Sequence, residues 1–122
     1  MTEITVAGED GRGAVRITLP AYMPVVGRAP GVSEFVVLPT ESGPAVLLSA
    51  GEEVARRVAR VVQRDRGKAY RIADAAELRR VLTVAGEQTG AGHVGIDLDP
   101  GTADGRPGRL ARIADVLDAA RG

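Results

Sequence analysis

Residues 34–65, EFVVLPTESGPAVLLSAGEEVARRVARVVQRD, decide how this chain folds. EFVVLP and PAVLLS are short continuous apolar runs on either side of the polar turn TESG. Runs of that length, bounded by turn residues, read as neighbouring antiparallel strands near the centre of a sheet. Ser49 and Glu52 then stand at capping-box spacing, a hydroxyl followed three residues later by a carboxylate, so a helix is expected to open there. Its 3.6-residue period puts Val54, Val58, Val61 and Val62 on one face, with Ala55 and Ala59 beside them. Glu52 with Arg56 and Glu53 with Arg57 are i,i+4 pairs in the favourable order. Gly67 follows as a C′ residue for the helix end.

Upstream, Ile4 to Ala7 and Ala14 to Leu19 are short β-like runs separated by the glycine-rich GEDGRG, which predicts a hairpin. In AVRITLP, Val15, Ile17 and Leu19 alternate with Arg16 and Thr18, the pattern of a strand with one buried face. PAYMPVVGRAPGVS is rich in proline and glycine and reads as a connection or an irregular edge. Downstream, AYRIA is a short strand. Asp74 at an N-cap starts a helix with Leu78, Val81, Leu82 and Ala85 on its apolar face and Gly86 at its end. GEQTGAG is a loop, HVGIDL is a strand stopped at Asp99-Pro100-Gly101, and a last helix runs from Arg109 to Ala120 with Leu110, Ile113, Leu117 and Ala120 inward. The order ββ, ββα, βα, βα predicts an α+β fold, a mostly antiparallel or mixed sheet with about three helices packed on it.

At 122 residues the chain suits one domain, residues 1–122, around one core. Aromatics are limited to Tyr22, Phe35 and Tyr70, so aliphatic side chains must fill that core. Without cysteine there is no disulfide, thiolate nucleophile or cysteine zinc site. Neither a signal-peptide pattern nor an apolar stretch of membrane-spanning length occurs, which leads to the expectation of a cytoplasmic protein that does not enter membranes.

Formal charge is zero overall, yet Arg56 to Arg80 holds nine bases against three acids. Arg57, Arg60 and Arg64 recur at spacings of three and four on one side of the first helix, and Arg71, Arg79 and Arg80 follow. Such a stripe can hold a carboxylate, a phosphate or an acidic partner; its ordinary alternative is a solvated helix face. The absence of interleaved aromatics argues against single-stranded nucleic acid.

Motifs for chemistry are weak. Gly90 to Gly95 spells GxGxxG, but it follows a helix and precedes a strand, the reverse of a dinucleotide site. The segment from Asp97 to Gly105 resembles a calcium loop but has Gly101 and Gly108 where ligands are required; a nonstandard divalent site on Asp97, Asp99 and Asp104 is the remaining version. His93, the single histidine, has neither a cysteine nor an elbow serine to activate. Helix-start charge and pairing account for Glu52 and Glu53. No cofactor or metal is therefore expected.

From Glu34 to Gly101 the succession of EFVVLP, a turn, PAVLLS, a helix opening with Ser and Glu, AYRIA, AELRRVL and HVGIDLDPG resembles the SseB-like family of small bacterial domains. The resemblance implies a non-enzymatic α+β module with a role in regulation or in secretion-related assemblies. It carries no catalytic motif. The segment before Pro20 reads as strands where that family opens with a helix, Leu48-Ser49 replaces its Phe-Thr, and Asp99 stands where Asn is common.

These readings converge on a non-enzymatic module that binds a protein or peptide through Arg57, Arg60, Arg64, Arg71, Arg79 and Arg80, with a homodimer as one form of partner. The alternative is a small enzyme or ligand-binding accessory protein of a biosynthetic pathway, its site built from His93, Asp97 and Asp99. A third is an anion or nucleotide sensor using the arginines.

Overall fold

A computed structural model describes residues 2–8, 14–29, 32–40, 42–63, 65–96 and 110–121. The fold is α+β. Strands β1 (Thr2–Ala7) and β2 (Ala14–Leu19) form the expected antiparallel hairpin, and a cis Leu19–Pro20 peptide leads into β3 (Ala21–Ala29). Next come β4 (Val32–Phe35), β5 (Val37–Thr40), β6 (Gly43–Leu48), α1 (Glu52–Val62), β7 (Gly67–Ile72), α2 (Ala75–Thr89), β8 (His93–Ile96), β9 (Leu110–Arg112) and α3 (Ile113–Ala120). One sheet has the order β4-β3-β7 and is antiparallel; the other, β5-β6-β8-β9, is mixed, because β6 and β8 run parallel.

The largest departure from the sequence reading is PAYMPVVGRAPGVS, which is no connection. It supplies β3, the central strand of its sheet, together with β4. A proline is tolerated in that centre because of where its missing donor falls. Tyr22 N–H and Pro24 C=O both face the β4 side, bonding Ser49 O (2.7 Å) and Val36 N (3.3 Å). Pro24 therefore lacks its N–H at the junction where β4 gives way to β5, not within a continuous ladder. That junction also divides EFVVLP. Phe35 pairs with β3, Val37 pairs with β6, and β5 is an edge strand rather than a central one.

Tyr22 and Ser49 exchange both main-chain hydrogen bonds, at 2.7 and 2.8 Å, and so join the two sheets into one layer. Strand alternation then sorts side chains between its faces. Ala21 and Met23 of β3, with Val46 and Leu48 of β6, enter the larger core, and Val26 and Leu47 enter a smaller one. Leu78, Val81, Leu82 and Ala85 of α2, Ile113 and Val116 of α3, and the hairpin residues Ile4, Val6, Val15, Ile17 and Leu19 fill the larger core. Val58 and Val54 of α1 cover the smaller one. Helix α1 thus lies on one face of the layer, and α2 and α3 on the other.

Helix boundaries differ from expectation in four places. Ser49 does not cap α1, because its main chain is committed to Tyr22; Gly51 is the N-cap and the Ser49 hydroxyl accepts from Gly51 N–H at 3.1 Å. Helix α1 ends at Val62 with Gln63 as C-cap, and Gly67 is already in β7. A Cβ on Gly67 would sit 2.5 Å from the Ala59 carbonyl carbon, so the glycine is there to let helix and strand backbones meet. Gly86 lies inside α2; the helix continues to Thr89 and closes at Gly90, whose φ of 74° is the left-handed cap conformation. Leu110 belongs to β9, not to the last helix, since Leu110 and Ala111 pair with Gly95 and Val94 of β8. Asp74 does cap α2, accepting from Glu77 N–H at 2.8 Å, and the apolar face of α2 is the expected one.

Gly67→Ala is expected to lower stability by about 1–3 kcal/mol through backbone overlap, and Asp74→Ala by about 1 kcal/mol through the lost cap. Urea unfolding of the two variants measures both; a neutral Gly67→Ala would mean that α1 and β7 are not in backbone contact.

Candidate partner-binding surface

Helix α1 buries Ala55, Val58 and Ala59, with Val54 half-buried. That register points Arg57, Arg60 and Val61 away from the sheet, since each stands two positions after a buried residue and so about 200° round a 100°-per-residue helix. Val61 is 72% exposed and Val62 58% exposed, whereas both are expected from the sequence on the apolar face. The helix is turned onto its alanine edge because Gly67 beneath Ala59 permits backbone approach there, and a valine row cannot come as close. The alanine pair Ala55 and Ala59, four residues apart and followed by a glycine at a strand start, is the sequence signal that marks this choice.

Glu53, Arg56, Arg57, Arg60 and Val61 line a shallow depression on the outer face of α1. Arg56 bridges two carboxylates, Nη2 to Glu52 at 2.6 Å and Nη1 to Glu53 at 3.2 Å. Both acids of the first turn are thereby satisfied within the helix. Arg60 makes no ion pair among the described residues. A second groove borders the same helix end, where Val62, Gln63 and Arg66 face Val26, Glu34, Phe35, Val36 and Val37 across the β4–β5 junction.

The remaining arginines are not gathered at one spot. Arg71 is exposed on β7, and alternation from Gly67 puts it on the same face of the layer as α1. Arg79 and Arg80 are on α2, across the layer. They line a different groove with Ala76, Thr83, Val84, Leu117 and Arg121. Arg121, just beyond α3, carries no sequence signal for this groove; only the packing of α3 against α2 brings it there. Arg64 lies outside the described residues.

His93 opens β8, half-buried, opposite Ala45 of β6 and Arg112 of β9, with its Nε2 buried. β8 is followed by β9, so it is not the last strand, and its described end at Ile96 is roughly 10 Å from His93 at strand rise. Asp97, Asp99 and Asp104 lie outside the described residues. Among the described residues no group of three histidines or acids is placed to hold a metal ion. GxGxxG begins at a helix C-cap and runs into a strand, the reverse of the strand-to-helix order of a dinucleotide site. No described helix is long and apolar enough to cross a membrane.

No protein-family model matches the chain, and no curated protein matches it significantly.

Val61→Asp and Val62→Asp are expected to change stability by less than about 0.5 kcal/mol, as surface substitutions do. Val58→Asp, which buries a carboxylate, is expected to cost more than about 3 kcal/mol. Equal losses in urea unfolding at Val58 and Val61 would put the helix in a different rotation.

Proposed function

We propose that this protein is a non-enzymatic binding module whose α1 face receives an acidic protein or peptide segment. The observation that carries the reading is the outward placement of Val61 beside Arg57 and Arg60, with Val62 exposed at the border of the adjoining groove. Arginine next to exposed aliphatic surface is the composition of protein interfaces: the apolar part contributes desolvation, and the guanidinium supplies forked donors that match a carboxylate. Because Arg56 already holds Glu52 and Glu53, the acids of this helix compete less for Arg60. A segment alternating carboxylates with small apolar side chains complements this surface.

The resemblance to SseB-like domains belongs to the same proposal. Its support is the succession β5, β6, α1, β7, α2, β8, the strand and helix order on which the resemblance rests. A cytoplasmic setting in a bacterial assembly accompanies that reading. The site at His93, Asp97 and Asp99 is not favoured by any described geometry.

The test is selection of displayed acidic peptides on the purified protein, followed by fluorescence anisotropy with the peptides selected. Arg57→Glu with Arg60→Glu is expected to weaken binding at least about tenfold, with unfolding behaviour unchanged. Added salt is expected to weaken the wild-type complex. Affinity unaffected by the double reversal would remove α1 as the contact surface.

A further inference from the structure

The outer edge of β7 pairs with no other described strand. Two hydrogen bonds fix which way the β3 main chain points: Tyr22 N–H goes to Ser49 O on one side, and Gly27 N–H goes to Arg66 O (3.0 Å) on the other. Even-numbered residues of β3 therefore face β4 and β6, and odd-numbered ones face β7. The register Ala21↔Ile72, Met23↔Tyr70 and Val25↔Lys68 makes Ile72, Tyr70 and Lys68 the β7 residues that bond β3. The N–H and C=O groups of Gly67, Ala69 and Arg71 point outward, and no described strand lies beyond them. A row of this kind is a template for another strand.

The other described edges are less suited to that use. β5 carries Pro39, β4 has four residues, and β9 has three. The β1–β2 hairpin has its exposed Glu3 and Arg16 within 3.8 Å of each other, so its edges present a balanced pair of charges. β7 spans six residues without proline or acid. Lys68 and Arg71 are exposed on it, and Tyr70 is 42% exposed.

We propose that β7 takes up an extended acidic segment of a partner protein as an additional strand beside it. This rests on the reading above, that the module binds acidic peptides, and adds the edge of β7 as a contact surface distinct from the outer face of α1. Main-chain bonds to Gly67, Ala69 and Arg71 supply affinity independent of the partner's side chains. Lys68 and Arg71, on opposite faces of the strand, select for carboxylates, and Tyr70 supplies an apolar contact. A second copy of this chain is the poorer occupant, because a β7–β7 pair would bring two lysines and two arginines together with no acid on either strand.

The probe is a blocked synthetic peptide of alternating glutamate and valine, titrated into the full chain. Slowed hydrogen exchange at the amides of Ala69 and Arg71 is expected on binding, without change at Met23 or Tyr70. Ala69→Pro removes one outward donor, leaves the three β3–β7 pairs in place and is expected to weaken binding at least tenfold. Methylating alternate peptide nitrogens is expected to do the same with the wild-type protein, which keeps the result readable if the proline variant folds poorly. Binding that survives both changes, with no amide protection on β7, would overturn strand addition while leaving the α1 reading in place. No saturable binding to the wild type would overturn both. A dimer in the absence of peptide that Ala69→Pro dissolves would overturn the choice of occupant.

Discussion

The reciprocal pair of main-chain hydrogen bonds between Tyr22 and Ser49 is the constraint on which the architecture rests. Without it the three-stranded and four-stranded sheets would be separate small sheets, each with an edge to hide. With it they share one surface whose two faces are covered by different helices. Ser49 is the buried polar residue of the described core, and its position is tolerated because its N–H, C=O and hydroxyl are all engaged. The same commitment moves the start of α1 two residues along the chain to Gly51.

From that joint the placement of charge follows. Strand alternation on β3 and β6 gives α1 a small aliphatic patch, and gives α2, α3 and the hairpin the larger one. A short helix on a small patch packs closely only where side chains are small, hence Ala59 against Gly67. The consequence is functional. Two valines that would otherwise have gone inward are on the surface, beside arginines. The basic segment from Arg56 to Arg80 is continuous in sequence, but the layer passes through it, with Arg57, Arg60 and Arg71 on one side and Arg79 and Arg80 on the other. One electrostatic surface in the sequence is two in space.

Much of the local structure could be read directly. The hairpin, the β5–β6 pair, the Asp74 cap and the Leu78-Val81-Leu82-Ala85 face depend on near neighbours, and near neighbours suffice to specify them. The misreadings share a cause, which is that a distant segment overrode a local preference. Pro24 and Gly27 argue against a central strand until one sees that the missing donor falls at a junction between partners. Gly67 looks like a helix terminator until Ala59 is found above it. Leu110 fits a helical stripe until Val94 and Gly95 offer it a strand to pair with.

The sequence by itself determined the fold class, the type and approximate place of most elements, the lack of cysteine chemistry and the concentration of arginine in the middle of the chain. These depend on composition, on periods of two and 3.6 residues, and on capping residues, all of which act over a few positions. Only the tertiary structure decided which face of α1 is outward, which arginines share a surface, and that no described strand pairs with the outer side of β7. Those outcomes depend on how closely backbones approach and on which strands meet, and contacts between residues far apart in the chain are not encoded in the pattern of any one segment.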